Sequence, residues 1–220
     1  MGRGYRKALV SRVVRYSGIA RKDRRRKAAA VLPGQVDLAG TRKPAVRLPL
    51  KIPPGVHTLF LGLGPGMESA KRGHYFPGAS NYFWKLLYRS EIWPEKIDSD
   101  HDDEILKAGF GLADVIQRPT EGTVVATKAE FMNAKERVRA LVNEHKPKLV
   151  VFVGLKAFRT YLRRDDSEVE YGVQTVRIGD AKVFVVPSTS GASVGVTSYD
   201  EKMDWFVKLK AEIELVRSRE

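Results

Sequence analysis

The sequence contains no cysteine. A disulfide framework, a thiol nucleophile and any zinc or iron–sulfur site built on thiolates are thereby excluded. It also lacks any run of about 18 consecutive apolar residues, the length a membrane-spanning helix needs. No apolar stretch follows Met1 in the manner of a secretory signal, so an intracellular location is expected. Acidic residues are scarce in one region only. Residues 1–51 carry 15 Lys/Arg against two acids, Asp23 and Asp37, whereas residues 52–220 carry 24 of each sign. The net charge of +13 therefore resides in the first quarter of the chain and points to a polyanionic partner.

That basic quarter is dense at Arg21, Lys22 and Arg24–Lys27, and from Val31 to Pro54 it is interrupted by Pro33, Gly34, Gly40, Pro44, Pro49, Pro53 and Pro54. No amphipathic period there is long enough to bury a face. Residues 1–50 read as a basic, disordered arm and linker, and residues 51–220 as the folded domain. The arm suits phosphate contact with a steep salt dependence. A targeting presequence, or residues upstream of the true start, would look the same.

In the domain, His57–Gly62 reads as a first strand, Phe110–Ile116 as a second interrupted by Asp114, and Leu149–Val153 as a strand buried on both faces. Val173–Ile178 and Lys182–Val186 read as a hairpin around Gly179–Asp180. Helices are expected at Asn81–Arg89, Lys128–His145, Gly154–Leu162 and Tyr199–Val216, with a short one at Asp102–Lys107. This alternation predicts an α/β fold, a three-layer α/β/α sandwich with a central, mainly parallel sheet. Ligands of such sheets bind beyond the carboxyl ends of the strands. Gly62–Gly66, the segment around Asp114, and Pro187–Gly195 leave those ends.

Gly62-Leu63-Gly64-Pro65-Gly66 lets the backbone approach a ligand, or is an ordinary tight turn. Pro65 and Gly66 argue against a helix starting at once, as a dinucleotide fingerprint requires, and no Walker lysine–hydroxyl pair follows. The loop Gly73-His74-Tyr75-Phe76-Pro77-Gly78 places aromatic rings where one can stack on a nucleobase or pack the loop down. His101-Asp102-Asp103 lacks a second ligand cluster and is not read as a metal site. His57 and His145 read as structural, and His74 as a phosphate ligand or a packing residue.

The ordered set of motifs resembles the mismatch-specific uracil-DNA glycosylase and thymine-DNA glycosylase family. That family's G-I-N-P-G corresponds to Gly62–Gly66. Its G-x-x-(F/Y) loop and N-x-F-W-K correspond to Phe76 and to Asn81, Phe83, Trp84 and Lys85. Its segment ending R-P-T corresponds to Gly109–Thr120, and its late (N/M)-P-S-(S/G) loop to Val186–Gly191. The resemblance spans about residues 57–216. It implies a uracil-glycosylase fold and a monofunctional DNA glycosylase with neither metal nor cofactor. Such an enzyme flips uracil out of double-stranded DNA, especially opposite guanine, and hydrolyses its base–sugar bond in base excision repair. A monomer is expected.

One departure from that family and one shared absence bear on mechanism. The family's water-positioning asparagine is Gly64 here, which has no side chain; the histidine that more distant uracil glycosylases carry in the late loop is absent, as it is in the mismatch-specific branch. A carboxylate beneath the sugar can stabilise the cation and accept water's proton. Asp114, polar within FGLADVI where the family has Asn or Lys, is the candidate base. Its competing reading is a turn cap or a partner of Arg118, and Glu68 is the rival base. By the resemblance, Leu63, Gly64, Ser69 and Phe76 line the uracil pocket, Phe76 stacking on the base and Ser69 lying on its C5 side. Gly66, Ser188, Thr189, Ser190, Gly191 and Ala192 meet DNA. Lys71 and Arg72 contact the DNA backbone or are solvated loop charges. The small tip of the late loop relaxes any dependence on the opposite base. The alternatives are a noncatalytic binder of damaged or mismatched DNA that lost activity with the asparagine, and an α/β nucleotide-binding enzyme that uses the glycine loop for phosphate.

Overall fold

A computed structural model describes residues 47–122, 124–163, 169–191 and 197–218. These lie within one compact unit, Ala45–Glu220. Most of the basic arm, residues 1–46, falls outside the described residues.

Five strands form one sheet in the order β2-β1-β3-β5-β4. β1 (Thr58–Gly62), β2 (Phe110–Asp114), β3 (Leu149–Val153) and β5 (Lys182–Val186) are parallel, and β4 (Gly172–Val173) adds an antiparallel edge. The inner strands are apolar on both faces because both faces are covered. On one face Phe60, Leu112, Val151 and Phe184 pack with Phe83, Leu86, Phe206 and Leu209 of α2 (Phe83–Arg89) and α5 (Tyr199–Arg217). On the other, Leu61, Val150, Phe152 and Val183 pack with Val138, Leu141 and Phe158 of α3 (Lys128–His145) and α4 (Leu155–Leu162). The result is the expected three-layer α/β/α sandwich with a mainly parallel sheet.

Local chemistry sets the helix ends. α3 and α5 each open on a full capping box, Thr127 with Glu130 and Ser198 with Glu201, which satisfies orphan amides at both starts. Lys146, left-handed at φ 49°, closes α3 just before Pro147. α2 begins at Phe83, because the Asn81 side chain accepts the Phe83 N–H at 3.0 Å. The short helix expected over Asp102–Lys107 is a 3-10 helix over Glu104–Ala108.

Two expectations change. A helix does start directly after the glycine loop: α1 (Met67–Arg72) follows Gly66, whose extended backbone (φ −74°, ψ 163°) is a normal N-cap conformation. Pro65 lies one residue outside and removes no helical hydrogen bond. The hairpin around Gly179 is present, but its first arm pairs as a strand only at Gly172–Val173, with an isolated bridge from Ile178 to Ala181. It is an edge segment with Val173 exposed, so nothing on its outer side extends the ladder.

The chain runs from β1 to β2 through α1 and α2 on one face, and from β2 to β3 through α3 on the other. The reversal occurs at β1, so the crevice expected to take ligand lies at the carboxyl end of β1 and its neighbours.

Candidate active site

Parallel pairing sets Gly62, the last residue of β1, opposite Asp114, the last of β2. Both face the α1/α2 side of the sheet. A Cβ on Gly62 would overlap Oδ1 of Asp114 and touch the Phe76 ring edge, 3.6 Å from Cε1. Glycine at 62 is therefore the residue that lets the Asp114 carboxylate and the Phe76 ring share one crevice.

Asp114 is 7% exposed. Burial raises its pKa to about 7, because an apolar surround disfavours the charged form, and Arg137 opposes the shift. Arg118 does not pair with it. That guanidinium instead makes a two-pronged contact with Glu130, at 2.8 and 3.0 Å, and donates to the Val125 carbonyl. Sequence reasoning passed over Arg137. On α3 its buried guanidinium nitrogens have no hydrogen-bond partner among the described residues, and desolvation lowers its pKa while Asp114 and Tyr75 raise it.

Phe76 sits in a left-handed conformation, φ 52°, which is costly for a residue with a side chain and persists only when neighbours hold it. One face of its ring stacks on Phe83, centroids 4.0 Å apart. The loop before it is held by Asp102, which is wholly buried. Asp102 accepts from the Tyr75 N–H at 2.8 Å, meets His74 Nδ1 at 2.9 Å and forms an ion pair with Lys51. Trp84 Nε1 donates to the Tyr75 carbonyl, and the Tyr75 hydroxyl to that of Pro49. His74 is thus tied to a buried acid, and Asp102 is a loop anchor that sequence reasoning weighed only as a metal ligand. The described residues contain no group of three or more potential metal-binding side chains.

The glycine loop is fastened to the segment after β2. Ile116 N–H donates to the Leu63 carbonyl, Thr120 N–H to Pro65, and Met67 N–H to Thr120. The N–H groups of Leu63 and Phe76 donate to no described backbone acceptor. Gly64 faces elsewhere: a Cβ there would meet Val124 at 3.1 Å and Ile116 at 3.4 Å, not Asp114. Leu63 packs toward the α3/α4 side. Gly66 caps α1, and Ser69 is buried on it, its carbonyl accepting from Gly73.

Beyond β5, Thr189 is buried and its carbonyl accepts the Tyr82 N–H at 2.9 Å. Ser188 packs against Gly154, and Gly191 lies so near Ser80 that a Cβ there would collide with it. Ser190 is half-buried; Ala192 lies outside the described residues. Glu68, the rival base, is exposed and pairs with Arg72, which also pairs with Asp100; Lys71 is exposed. Neither Glu68 nor Arg72 pairs with Asp114. Glu68 and Arg72 instead border an open concavity of about 690 Å³ that reaches Phe76, Asn81, Trp84 and Lys85. Neither Gly62 nor Asp114 lines it, so this concavity and the crevice meet at Phe76.

The fold has known counterparts. The solution NMR structure of a "putative Uracil DNA glycosylase" from Methanosarcina acetivorans superimposes with a TM-score of 0.50, at 19% identity, over 79% of this chain and 98% of that one. The profile of the Uracil DNA glycosylase superfamily matches residues 49–213, from before β1 into α5. With that match spanning the sheet, the glycine loop and the crevice between Gly62 and Asp114, the chain belongs to the uracil DNA glycosylase superfamily.

Proposed function

We propose that the protein is a monofunctional uracil-DNA glycosylase of the mismatch-specific branch, with Asp114 as its general base. The observation that carries this reading is the Asp114 carboxylate at a strand end, buried beside Gly62 and Phe76, with its pKa lifted to about 7. A base poised near neutral pH combines a substantial ionised fraction with useful basicity.

When the bond between C1′ and the uracil N1 breaks, its electron pair leaves with the base and positive charge builds on the sugar. In this reading the Asp114 carboxylate stabilises that cation. It then accepts one proton of the water whose oxygen bonds to C1′, leaving an abasic site. The unused N–H groups of Leu63 and Phe76 suit the developing negative charge on uracil oxygens. Phe76, backed on one face by Phe83, has its other face for the flipped base. Gly64 supplies no side chain to the reaction, and its Cβ direction, toward Val124 and Ile116, is not the direction of Asp114. Ser69 borders the pocket on the C5 side. The Ser188–Ala192 loop, Gly66, Lys71, Arg72 and the basic arm meet duplex DNA. The small loop tip makes guanine opposite uracil a preference rather than a requirement.

The test is release of uracil from an oligonucleotide carrying one uracil, opposite guanine, opposite adenine and single-stranded. Cleavage is expected in the wild type, with Asp114→Asn at least ~100-fold slower. A wild type that binds the duplex without cutting would instead make it a noncatalytic binder.

A further inference from the structure

α2, α5 and the loop after β5 converge at the carboxyl end of the sheet, where two lysines meet two tyrosines. Lys85 Nζ lies over the Tyr199 ring at 4.7 Å, and Lys202 Nζ faces the Tyr82 ring at 5.5 Å. Tyr82 and Tyr199 pack edge to face, centroids 5.5 Å apart. The group adjoins the late loop, because the Tyr82 N–H donates to Thr189.

Lys202 is only 5% exposed. Its stem is packed away while its ammonium, which has no hydrogen-bond partner among the described residues, keeps a little access to solvent; a lysine this enclosed ordinarily has a carboxylate within reach. Among the described residues neither Lys202 nor Lys85 forms an ion pair. Glu201, next in sequence to Lys202, is committed to capping α5. The ring faces offset part of the desolvation but carry no net charge. One largely enclosed cation, Lys202, and one exposed cation, Lys85, therefore stand on tyrosine rings without counter-charge beside a loop that borders the crevice. The partly buried lysines Lys51 and Lys182 do pair, with Asp102 and Glu212.

We infer that Lys85 and Lys202, set on Tyr199 and Tyr82, form a seat for a phosphodiester group of the DNA strand. The missing counter-charge is the ligand's phosphate. The inference rests on the glycosylase reading for its choice of ligand, and it adds a binding site to that reading. Aromatic support restricts both ammonium groups before DNA arrives, which lowers the entropy lost on contact.

The test measures Lys85→Met, Lys202→Met and the double variant against wild type in two ways. Affinity for a uracil-containing duplex is followed by anisotropy across a salt series, and the thermal midpoint of the free protein is recorded. Each phosphate contact contributes about 0.9 to the slope of log K against log salt. Each single variant should lose about that much slope and bind several-fold more weakly at low salt. Lys202→Met should melt no lower than wild type, since it keeps the packed stem and removes a largely enclosed charge that has no carboxylate partner. Lys208→Met serves as the control: its ammonium lies over Trp205 at 4.1 Å on the same helix and should leave the slope unchanged. An unchanged slope in both single variants overturns the inference. So does an equal change in the Lys208 control, or a lowered midpoint for Lys202→Met with DNA binding intact. A wild type with no affinity for DNA would instead remove the glycosylase reading itself.

Discussion

Gly62 and Asp114 end adjacent parallel strands in register, and the space a Gly62 side chain would fill belongs to the Asp114 carboxylate. One missing side chain thus shapes the crevice. The Gly62→Ala variant should fold, with the carboxylate forced to turn away. Uracil release should fall ~10–100-fold with DNA affinity nearly unchanged, as expected when a reacting group is displaced by about an ångström. Single-turnover cleavage and anisotropy together check it; undiminished cleavage would show that Asp114 need not point where it does.

Asp114 with a pKa of about 7 fixes the direction of the pH profile. The ionised form is the base, so kcat/KM should climb as pH rises toward 7 and level off above. Arg137 opposes the elevation, hence Arg137→Met should carry the inflection to higher pH. Its activity should be depressed at pH 7 and restored toward wild type at pH 9. A pH–rate series on both proteins reads this directly.

The same elevation bears on stability. The folded state holds the Asp114 proton more tightly than the unfolded chain does, whose Asp pKa is about 3.9. Asp114 therefore withdraws stability as pH climbs from about 4 to 7, and the deficit is constant above that. Asp114→Asn should melt close to wild type at pH 4 and above it at pH 8, by on the order of 2–4 kcal/mol. Equal melting at pH 8 would mean that the carboxylate is not desolvated.

Asp102 holds the loop that presents Phe76. Asp102→Ala leaves the buried Tyr75 N–H without its acceptor and Lys51 with Asp103 alone, and should lose roughly 1–3 kcal/mol in urea denaturation. Asp102→Asn keeps an acceptor for the N–H and should lose less. Both should weaken binding of uracil-containing duplex, because Phe76 at φ 52° needs its neighbours to stay in place.

Much of this architecture could be read from one dimension. LVVFV and TLFLG are unbroken apolar runs because their strands are covered on both faces, and such a pattern is local. Helices α3 and α5 carry both a stripe and a capping box in consecutive residues. The six-residue α1 was hidden by Pro65 and Gly66, since six residues are too few to show a period and a glycine N-cap looks like any turn. Asp114 stood out in sequence as a polar residue within an apolar strand.

Asp102 did not stand out, because its partner Lys51 lies 51 residues away and an acidic stretch such as DHDDE reads as solvated surface. The pairing of Lys85 and Lys202 with tyrosines on a different helix was equally invisible. Composition and periodicity dictate strands, helices, the basic arm and the class of fold, because these depend on neighbours in the chain. Which carboxylate faces Gly62, which is buried as an anchor, and which cations are left without a partner are settled by packing, because burial and distance between remote residues exist only once the layers have closed.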